Sequence, residues 1–141
     1  MNFIDTTFWV GEADANDDFH ESSHAVIEGI RTGRASLAIT TDLVIDETVT
    51  ILGKRRGFGA ANASKVAASI LASPRVFTVY MDDALLKESF KTYPTYGGRL
   101  SLTDVASTTV MRRYGVRQIF SHDRDFDKVE GVRRSESLPR R

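Results

Sequence analysis

Residues 37–56 read LAITTDLVIDETVTILGKRR, and this stretch decides the fold class. Its first four residues are apolar or β-branched, which predicts a buried strand. Thr41 and Asp42 follow, and side chains of this type cap helix N-termini. The apolar residues that come next recur at helical spacing, basic residues fill the last turn, and Gly57 stands just beyond them. The stretch therefore predicts a strand over 37–40 that leads directly into a helix over about 43–56.

Strands and helices alternate in the same way along the rest of the chain. The other predicted strands cover residues 2–5, 76–80 and 116–121, and the other predicted helices cover residues 19–31, 60–72, 82–93 and 101–114. Strands that alternate with helices over short connections favour an α/β fold built on a mostly parallel sheet. No linker or repeat interrupts the pattern. We therefore expect one domain over residues 1–134, followed by a frayed polar tail over 135–141.

The composition excludes several classes of protein. A chain of 141 residues with 41% hydrophobic and 27% charged residues is an ordinary globular domain rather than a disordered chain. The absence of cysteine excludes disulfides, thiol nucleophiles and cysteine-ligated metals. No apolar run approaches the ~20 residues of a membrane span. The first residues carry no secretory signal, so we expect a cytoplasmic protein.

The charged residues are unevenly distributed, although the formal net charge is zero. Residues 1–47 contain two basic and ten acidic residues, a balance of −8, and residues 48–141 contain 17 basic and nine acidic residues, a balance of +8. Such asymmetry suggests one binding surface of each sign, or charge that only maintains solubility.

Two acidic residues from opposite ends of the chain follow predicted strands. Asp5 ends the first strand, and Asp123 follows the strand over 116–121. Ligands of parallel α/β sheets gather at the carboxyl ends of the strands, so we expect these two carboxylates to converge. Asp125 is the second choice for the later position, because Asp is also a common turn residue and the spacing does not separate the two.

Two further acidic residues lie on predicted helices. Glu47 falls at the border of the apolar arc of its helix, between Leu43 and Ile51, whereas Asp46 points away. A carboxylate at the border of a buried face needs a partner, which indicates a functional role. Asp104 stands three residues after Ser101, as in a capping box, and a helix N-terminus both stabilises a carboxylate and holds it rigidly.

A competing motif is His20-Glu21-Ser22-Ser23-His24, which matches the zinc-peptidase pattern H-E-x-x-H. The helical phase places His24 on the polar face opposite the apolar residues, and the one remaining histidine, His122, is not at the spacing of a third zinc ligand. A zinc peptidase is therefore a remote alternative. Phosphate-binding and serine-hydrolase motifs are absent from the sequence.

The order of the acidic segments resembles that of PIN-domain ribonucleases, in particular the VapC-type toxins of toxin–antitoxin systems. The segments are Ile4-Asp5-Thr6-Thr7, Asp46-Glu47-Thr48, Ser101-Leu102-Thr103-Asp104 and Ser121-His122-Asp123-Arg124-Asp125. The resemblance extends over nearly the whole chain. It implies a Rossmann-like α/β/α sandwich and an endoribonuclease that uses Mg²⁺ or Mn²⁺.

The resemblance also implies roles for individual residues. The catalytic and metal-binding acidic residues would be Asp5, Glu47, Asp104 and Asp123, with Asp125 as an auxiliary ligand. Supporting hydroxyls would come from Thr6, Ser101 and Thr103. Basic residues beyond position 48 would contact the RNA backbone, or would only be charges at helix ends; they are Lys54, Arg55, Arg56, Arg112 and Arg113.

The same resemblance implies partners: an RNA substrate, a cognate antitoxin protein and a second copy of the chain in a homodimer. Two alternatives stay open within the fold. One is an RNA-processing nuclease outside a toxin system, and the other is a catalytically silent module that binds RNA or protein. The sequence leaves undecided the RNA target, the cleavage site and the number of metal ions.

Overall fold

A sheet of five parallel strands forms the centre of the molecule, for which a computed structural model describes residues 1–140. The strands are β1 (Asn2–Ile4), β2 (Ala38–Thr41), β3 (Val76–Val79), β4 (Gln118–Phe120) and β5 (Arg133–Ser135). Their order across the sheet is β3-β2-β1-β4-β5, and every pairing is parallel. All strand carboxyl ends therefore lie along one edge.

Six helices connect the strands, as parallel pairing requires. They are α1 (Thr6–Ala13), α2 (His20–Arg31), α3 (Asp42–Lys54), α4 (Gly59–Ala72), α5 (Asp83–Thr92) and α6 (Leu102–Arg113), with 3₁₀ turns at Tyr93–Tyr96 and Arg124–Lys128. Helix α1 packs against α2, α3 against α4, and α5 against α6. None of the helices within residues 1–140 has the length and hydropathy to span a membrane.

The central strand β1 has a neighbouring strand on each side, and its last two side chains are fully buried. Phe3 and Ile4 are inaccessible to solvent, as is Ile39 on the adjacent β2. Burying each such side chain contributes about 1.5–3 kcal/mol, so the end of β1 is held firmly. Asp5 follows immediately, and its backbone N–H donates to the Phe120 carbonyl of β4 at 3.1 Å.

The structure confirms the α/β prediction and most of its elements, with two omissions. Helix α1 was not predicted, because its sequence TTFWVGEA contains β-branched residues and a glycine, which lower helix propensity. Its stability comes instead from burial of Phe8, Trp9 and Val10. Between the helices predicted over residues 82–93 and 101–114, the chain forms a 3₁₀ turn over Tyr93–Tyr96.

The second omission is β5, whose last residue, Ser135, belongs to the segment predicted as a frayed tail. Further along, Leu138 is half-buried and lies so close to Gly29 that a Cβ on this glycine would be 2.5 Å from Leu138 Cδ1. The tail is thus folded onto α2 as far as residue 138. The domain boundary at residue 134 and the fraying of residues 135–141 stay predictions.

Candidate active site

Asp5 is the most enclosed acidic residue at the carboxyl edge of the sheet, with 2% of its surface exposed. Its Oδ2 accepts hydrogen bonds from Ser121 Oγ at 2.7 Å and Thr7 Oγ1 at 3.0 Å. No side chain among the described residues donates to Oδ1. Burial raises the pKa of the Asp5 carboxyl above its usual range, and the hydrogen bonds from Ser121 and Thr7 offset this only in part. The carboxylate is therefore held rigidly by neutral hydroxyl groups, and a nearby cation would stabilise its ionised form.

Ser121 and Thr7 join the ends of β1 and β4 through this carboxylate. Ser121 Oγ also accepts from the backbone N–H of Asp123 at 3.0 Å, and Thr7 Oγ1 accepts from the N–H of His122 at 2.9 Å. Both hydroxyls were missed in the sequence, where Thr6 was expected to support Asp5. Thr6 Oγ1 is instead buried, and no residue within 1–140 forms a hydrogen bond with it. A buried hydroxyl without a partner beside Asp5 has a free lone pair for a water or an ion.

Asp104 combines a structural role with an unusual protonation equilibrium. It forms the predicted capping box of α6, since its Oδ2 accepts from the N–H of Ser101 and its own N–H donates to Ser101 Oγ. Desolvation, followed by the negative charge of Asp5, raises the pKa of Asp104 to about 7, and Glu47 contributes in the same direction. Three acidic residues from β1, α3 and α6 therefore share one electrostatic field.

Glu47 lies in the middle of α3, as its helical phase predicted. The buried residues of this helix include Val44 and Thr48, whereas Asp46 is exposed. Glu47 is half-buried at the border between these faces, and no side chain among the described residues forms an ion pair with it. Its carboxylate is therefore left without a protein cation.

Asp123 is placed by the loop after β4, but its carboxylate already has a local partner. Its Oδ1 accepts from the N–H of Asp125 at 2.9 Å and so caps the following 3₁₀ turn. Its connection to Asp5 passes through Ser121, not through direct contact between the acids. Asp125, the auxiliary candidate, pairs with Lys128 at 3.3 Å.

The donor set fits a hard divalent cation. Its oxygens are carboxylates and hydroxyls, which Mg²⁺ and Mn²⁺ prefer, and Asp5 and Asp104 have raised pKa values that a cation would lower. Within residues 1–140, no three carboxylates or histidines lie close enough together to hold an ion without rearrangement. The carboxylates of Asp5, Glu47 and Asp104 are near enough to interact through their charge, and water ligands or side-chain movements would complete the coordination of an ion.

His122 holds the loop of Asp123 in place. Its ring is stacked between Phe8 and Phe19, with centroids 4.3 and 4.1 Å away, and its Nε2 lies 3.1 Å from Ser23 Oγ. Burial lowers the pKa of this imidazole, which favours its neutral form. Phe19, the first residue of the helix predicted over residues 19–31, precedes α2 and remains 48% exposed.

The predicted RNA-contacting residues differ in their surroundings. Arg55 donates to Asp14 at 2.9 Å and to Asp17 at 2.8 Å, and Arg113 lies 3.5 Å from Asp82. Lys54, Arg56 and Arg112 are exposed. Arg112 and Arg113 end α6, about 12 Å along its axis from Asp104. Two exposed arginines closer in sequence to the acids, Arg99 and Arg124, were not singled out.

The other predicted hydroxyls have local roles. Ser101 caps α6, and Thr103 contributes its carbonyl to Ser107 Oγ at 2.9 Å. The histidines of the H-E-x-x-H motif are one turn apart on α2. His20 Nδ1 lies 2.8 Å from the Gly11 carbonyl, and His24 Nδ1 lies 2.9 Å from Glu12 Oε2. A third ligand for a peptidase zinc is not grouped with them among the described residues.

Comparison with known proteins gives a consistent result. A family model described as PIN domain matches residues 3–132. The chain is 29% identical over 127 residues to the 23S rRNA-specific endonuclease VapC20 of Mycobacterium tuberculosis, a match that covers 89% of this chain and 92% of the relative.

Solved structures agree with this match. The crystal structure of M. tuberculosis VapC20, described as a Sarcin-Ricin loop cleaving toxin, superposes with a TM-score of 0.79 at 26% identity, over 91% of this chain and 94% of that one. VapBC2 from Rickettsia felis bound to promoter DNA gives a TM-score of 0.67 at 9% identity, covering 95% of this chain and 96% of that one. The latter similarity concerns the fold alone.

Proposed function

We propose, from the premise that this chain belongs to the PIN domain family of metal-dependent nucleases, that four carboxylates form its metal-binding catalytic centre. These are the carboxylates of Asp5, Glu47, Asp104 and Asp123. The chain is an endoribonuclease of the toxin type. The observation that supports the assignment is the juxtaposition of Asp5, Glu47 and Asp104, three acidic residues from separate elements; there desolvation, followed by the charges of Asp5 and Glu47, raises the pKa of Asp104.

Mg²⁺ is the ion we assign to this centre, with Mn²⁺ as a substitute, because both take oxygen ligands in octahedral geometry. Asp5 would supply Oδ1, since its Oδ2 is occupied by Ser121 and Thr7. Asp104 would supply Oδ1, since its Oδ2 serves the helix cap. Glu47 and Asp123 would bind directly or through water, with Asp125 as the auxiliary ligand.

When bound, the ion supplies a nucleophilic water at neutral pH and offsets the charge that develops on the phosphoryl oxygens. The protein contributes positioning. Ser121 and Thr7 fix the Asp5 carboxylate, and the capping box fixes Asp104 at the first turn of α6. Thr6 Oγ1, which lacks a protein partner, would orient a water beside Asp5. The step breaks a phosphodiester bond and leaves a 5′-phosphate and a 3′-hydroxyl.

The RNA backbone requires cationic contacts near the acidic residues. Arg124 directly follows Asp123, and Arg99 precedes Ser101 of the α6 cap; both are exposed. Lys54 ends α3, the helix of Glu47, and Arg56 lies two residues beyond it. We assign phosphate contacts to these four residues. Arg55 has a structural role, because its guanidinium already binds Asp14 and Asp17.

A structured ribosomal RNA is the substrate class that we test first, because the related VapC20 is described as specific for 23S rRNA. The chain would act in the cytoplasm, where this RNA is found. A purified 23S rRNA and an unrelated structured RNA of similar length distinguish a specific nuclease from a general one.

An antitoxin is the protein partner we propose, and a second copy of the chain completes a homodimer. A groove of about 650 Å³ between α2 and α4 offers an apolar floor that includes Trp9, Ile30 and Ile70. Ile27 and Val66 line its sides. Its charged lining residues are one carboxylate, Glu12, and two cations, Arg31 and Lys65, so the groove suits a largely apolar partner segment. An Ile27→Asp variant should escape inhibition by the antitoxin while still cleaving RNA.

The decisive experiment compares two neighbouring acidic residues on α3. Cellular RNA is incubated with the wild-type chain, Glu47→Gln and Asp46→Asn, each with Mg²⁺ or with EDTA. The proposal predicts cleavage by the wild type and by Asp46→Asn, its loss in EDTA, and its loss in Glu47→Gln. Equal cleavage by Glu47→Gln and the wild type would contradict the assignment of Glu47.

A further inference from the structure

His20 and His24 form a pair that the carboxylate centre does not use. They are four residues apart on α2, so they lie one above the other on the same helix face. Their rings are 5.7 Å apart between centroids and are inclined by only 22°. The side chain of His24 is 53% exposed, so the pair is open to solvent on at least one side.

The hydrogen bonds of both imidazoles leave the same nitrogen free. A carbonyl oxygen can only accept, so His20 Nδ1 carries the proton in its 2.8 Å contact with the Gly11 carbonyl. The carboxylate of Glu12 likewise makes His24 Nδ1 the donor at 2.9 Å. In the neutral form of each ring the lone pair is therefore on Nε2. No hydrogen bond to either Nε2 exists among the described residues.

This arrangement matches the support that metal-binding histidines require. A ligating imidazole donates its second N–H to a carbonyl or carboxylate, which fixes the tautomer and increases the basicity of the ligand. His20 has the carbonyl and His24 has the carboxylate. Two imidazoles on one tetrahedral ion, with metal–nitrogen distances of about 2.0–2.1 Å, place their centroids about 5 Å apart. The observed centroid separation of 5.7 Å is within 1 Å of this value, and rotation of the nearly parallel rings would direct both Nε2 atoms at one ion.

The surrounding charge also favours a cation. The segment from residue 12 to residue 28 contains six acidic residues and no lysine or arginine. Arg55 compensates two of them, Asp14 and Asp17. Glu21 is exposed beside His20, and Glu12 is bound to His24. The local field therefore attracts divalent cations from solution.

We propose that His20 and His24 are a second cation site, which binds a borderline transition-metal ion such as Zn²⁺ or Ni²⁺ through both Nε2 atoms. Imidazole suits these ions, whereas Mg²⁺ prefers oxygen. No third histidine or carboxylate is grouped with the pair in the part of the chain that the structure describes, so water completes the coordination. The site shares no residue with the carboxylate centre and does not make the chain a peptidase.

Calorimetric titration with Ni²⁺ tests the proposal. The proteins are the wild type, His24→Ala, His20→Ala and Glu12→Gln, with Asp5→Asn as the control that disables the carboxylate centre. We expect Asp5→Asn to bind one Ni²⁺ per chain, and the wild type to show the same site beside binding at the carboxylate centre, with an affinity at the histidine pair that millimolar Mg²⁺ changes by less than twofold. The affinity should fall at least tenfold in either histidine variant and by a smaller factor in Glu12→Gln.

A second readout guards against misfolding of the His20 variant, which also loses its bond to Gly11. Circular dichroism should show an unchanged fold for His24→Ala, and Ni²⁺ should raise the melting temperature of Asp5→Asn but not of the double variant Asp5→Asn/His24→Ala. RNA cleavage by His24→Ala should equal that of the wild type. Unchanged Ni²⁺ affinity in folded His24→Ala, or loss of binding in Asp5→Asn, would overturn the proposal.

Discussion

Replacement of Asp104 by Asn should make the protein more stable at pH 8 and remove much of the pH dependence of its stability. Desolvation and the charge of Asp5 raise the pKa of Asp104 to about 7 from an unfolded value near 3.8. Between these two values the folded state binds a proton that the unfolded state does not. The free energy of unfolding therefore falls as the pH rises from 4 to 7, and the loss is complete above pH 7.

The size of the effect follows from the change in pKa. At about 1.36 kcal/mol per pKa unit, a change from 3.8 to about 7 corresponds to about 4 kcal/mol. The carboxyl is only partly enclosed, and screening by water reduces this figure to about 2 kcal/mol. Asn keeps an oxygen that can accept from the Ser101 N–H. A weaker helix cap should therefore subtract less than about 1 kcal/mol from the stability that Asp104→Asn gains at pH 8.

Urea unfolding at pH 5, 6, 7 and 8 in EDTA measures the difference. The wild type should lose stability across this range, and Asp104→Asn should remain nearly constant and exceed the wild type at pH 8. Millimolar Mn²⁺ should restore the wild type at pH 8 and leave the variant almost unchanged, because a bound ion favours the ionised acid. Parallel stability curves for the two proteins would refute the reasoning.

Three further outcomes follow from the same contacts. Asp5→Asn should reduce RNA cleavage by a factor of about 100 or more while the fold is retained, as a cleavage assay with circular dichroism would show. Ser121→Ala should remove about 2 kcal/mol of the stabilisation of the ionised Asp5 carboxylate and so weaken Mn²⁺ binding. Ser121→Thr should restore the Mn²⁺ affinity, whereas an Mn²⁺ affinity of Ser121→Ala equal to that of the wild type would count against this role. Arg55→Ala should lower the urea midpoint of unfolding and leave the salt dependence of RNA binding unchanged. Arg124→Ala should remove one phosphate contact, so the slope of log affinity against log salt concentration should decrease by about 1.

The elements that position the acidic residues could be predicted because each has a strong local signal. Glu47 was located by the apolar periodicity of α3, and Asp104 by the spacing of its capping box. Convergence of Asp5 with the loop after β4 followed from parallel topology, in which strand ends share one edge.

The remaining details depend on contacts that sequence spacing does not reveal. Thr6 and Thr7 are identical neighbours, and only the start of α1 at Thr6 decides that Thr7 turns back to Asp5. Ser121 reaches Asp5 across 116 positions of sequence, between strands that become neighbours only in the folded sheet. The ion pairs of Arg55 depend likewise on how the end of α3 lies against Asp14 and Asp17.

A crystal structure of the chain soaked in Mn²⁺, with anomalous diffraction data, tests the central claim most directly. The account predicts an anomalous peak between Asp5 Oδ1, Glu47 and Asp104, on the Asp123 side of the sheet edge. The peak should be lost in Asp5→Asn crystals. Anomalous density that is absent from this cleft, or that persists there unchanged in Asp5→Asn, would contradict the account.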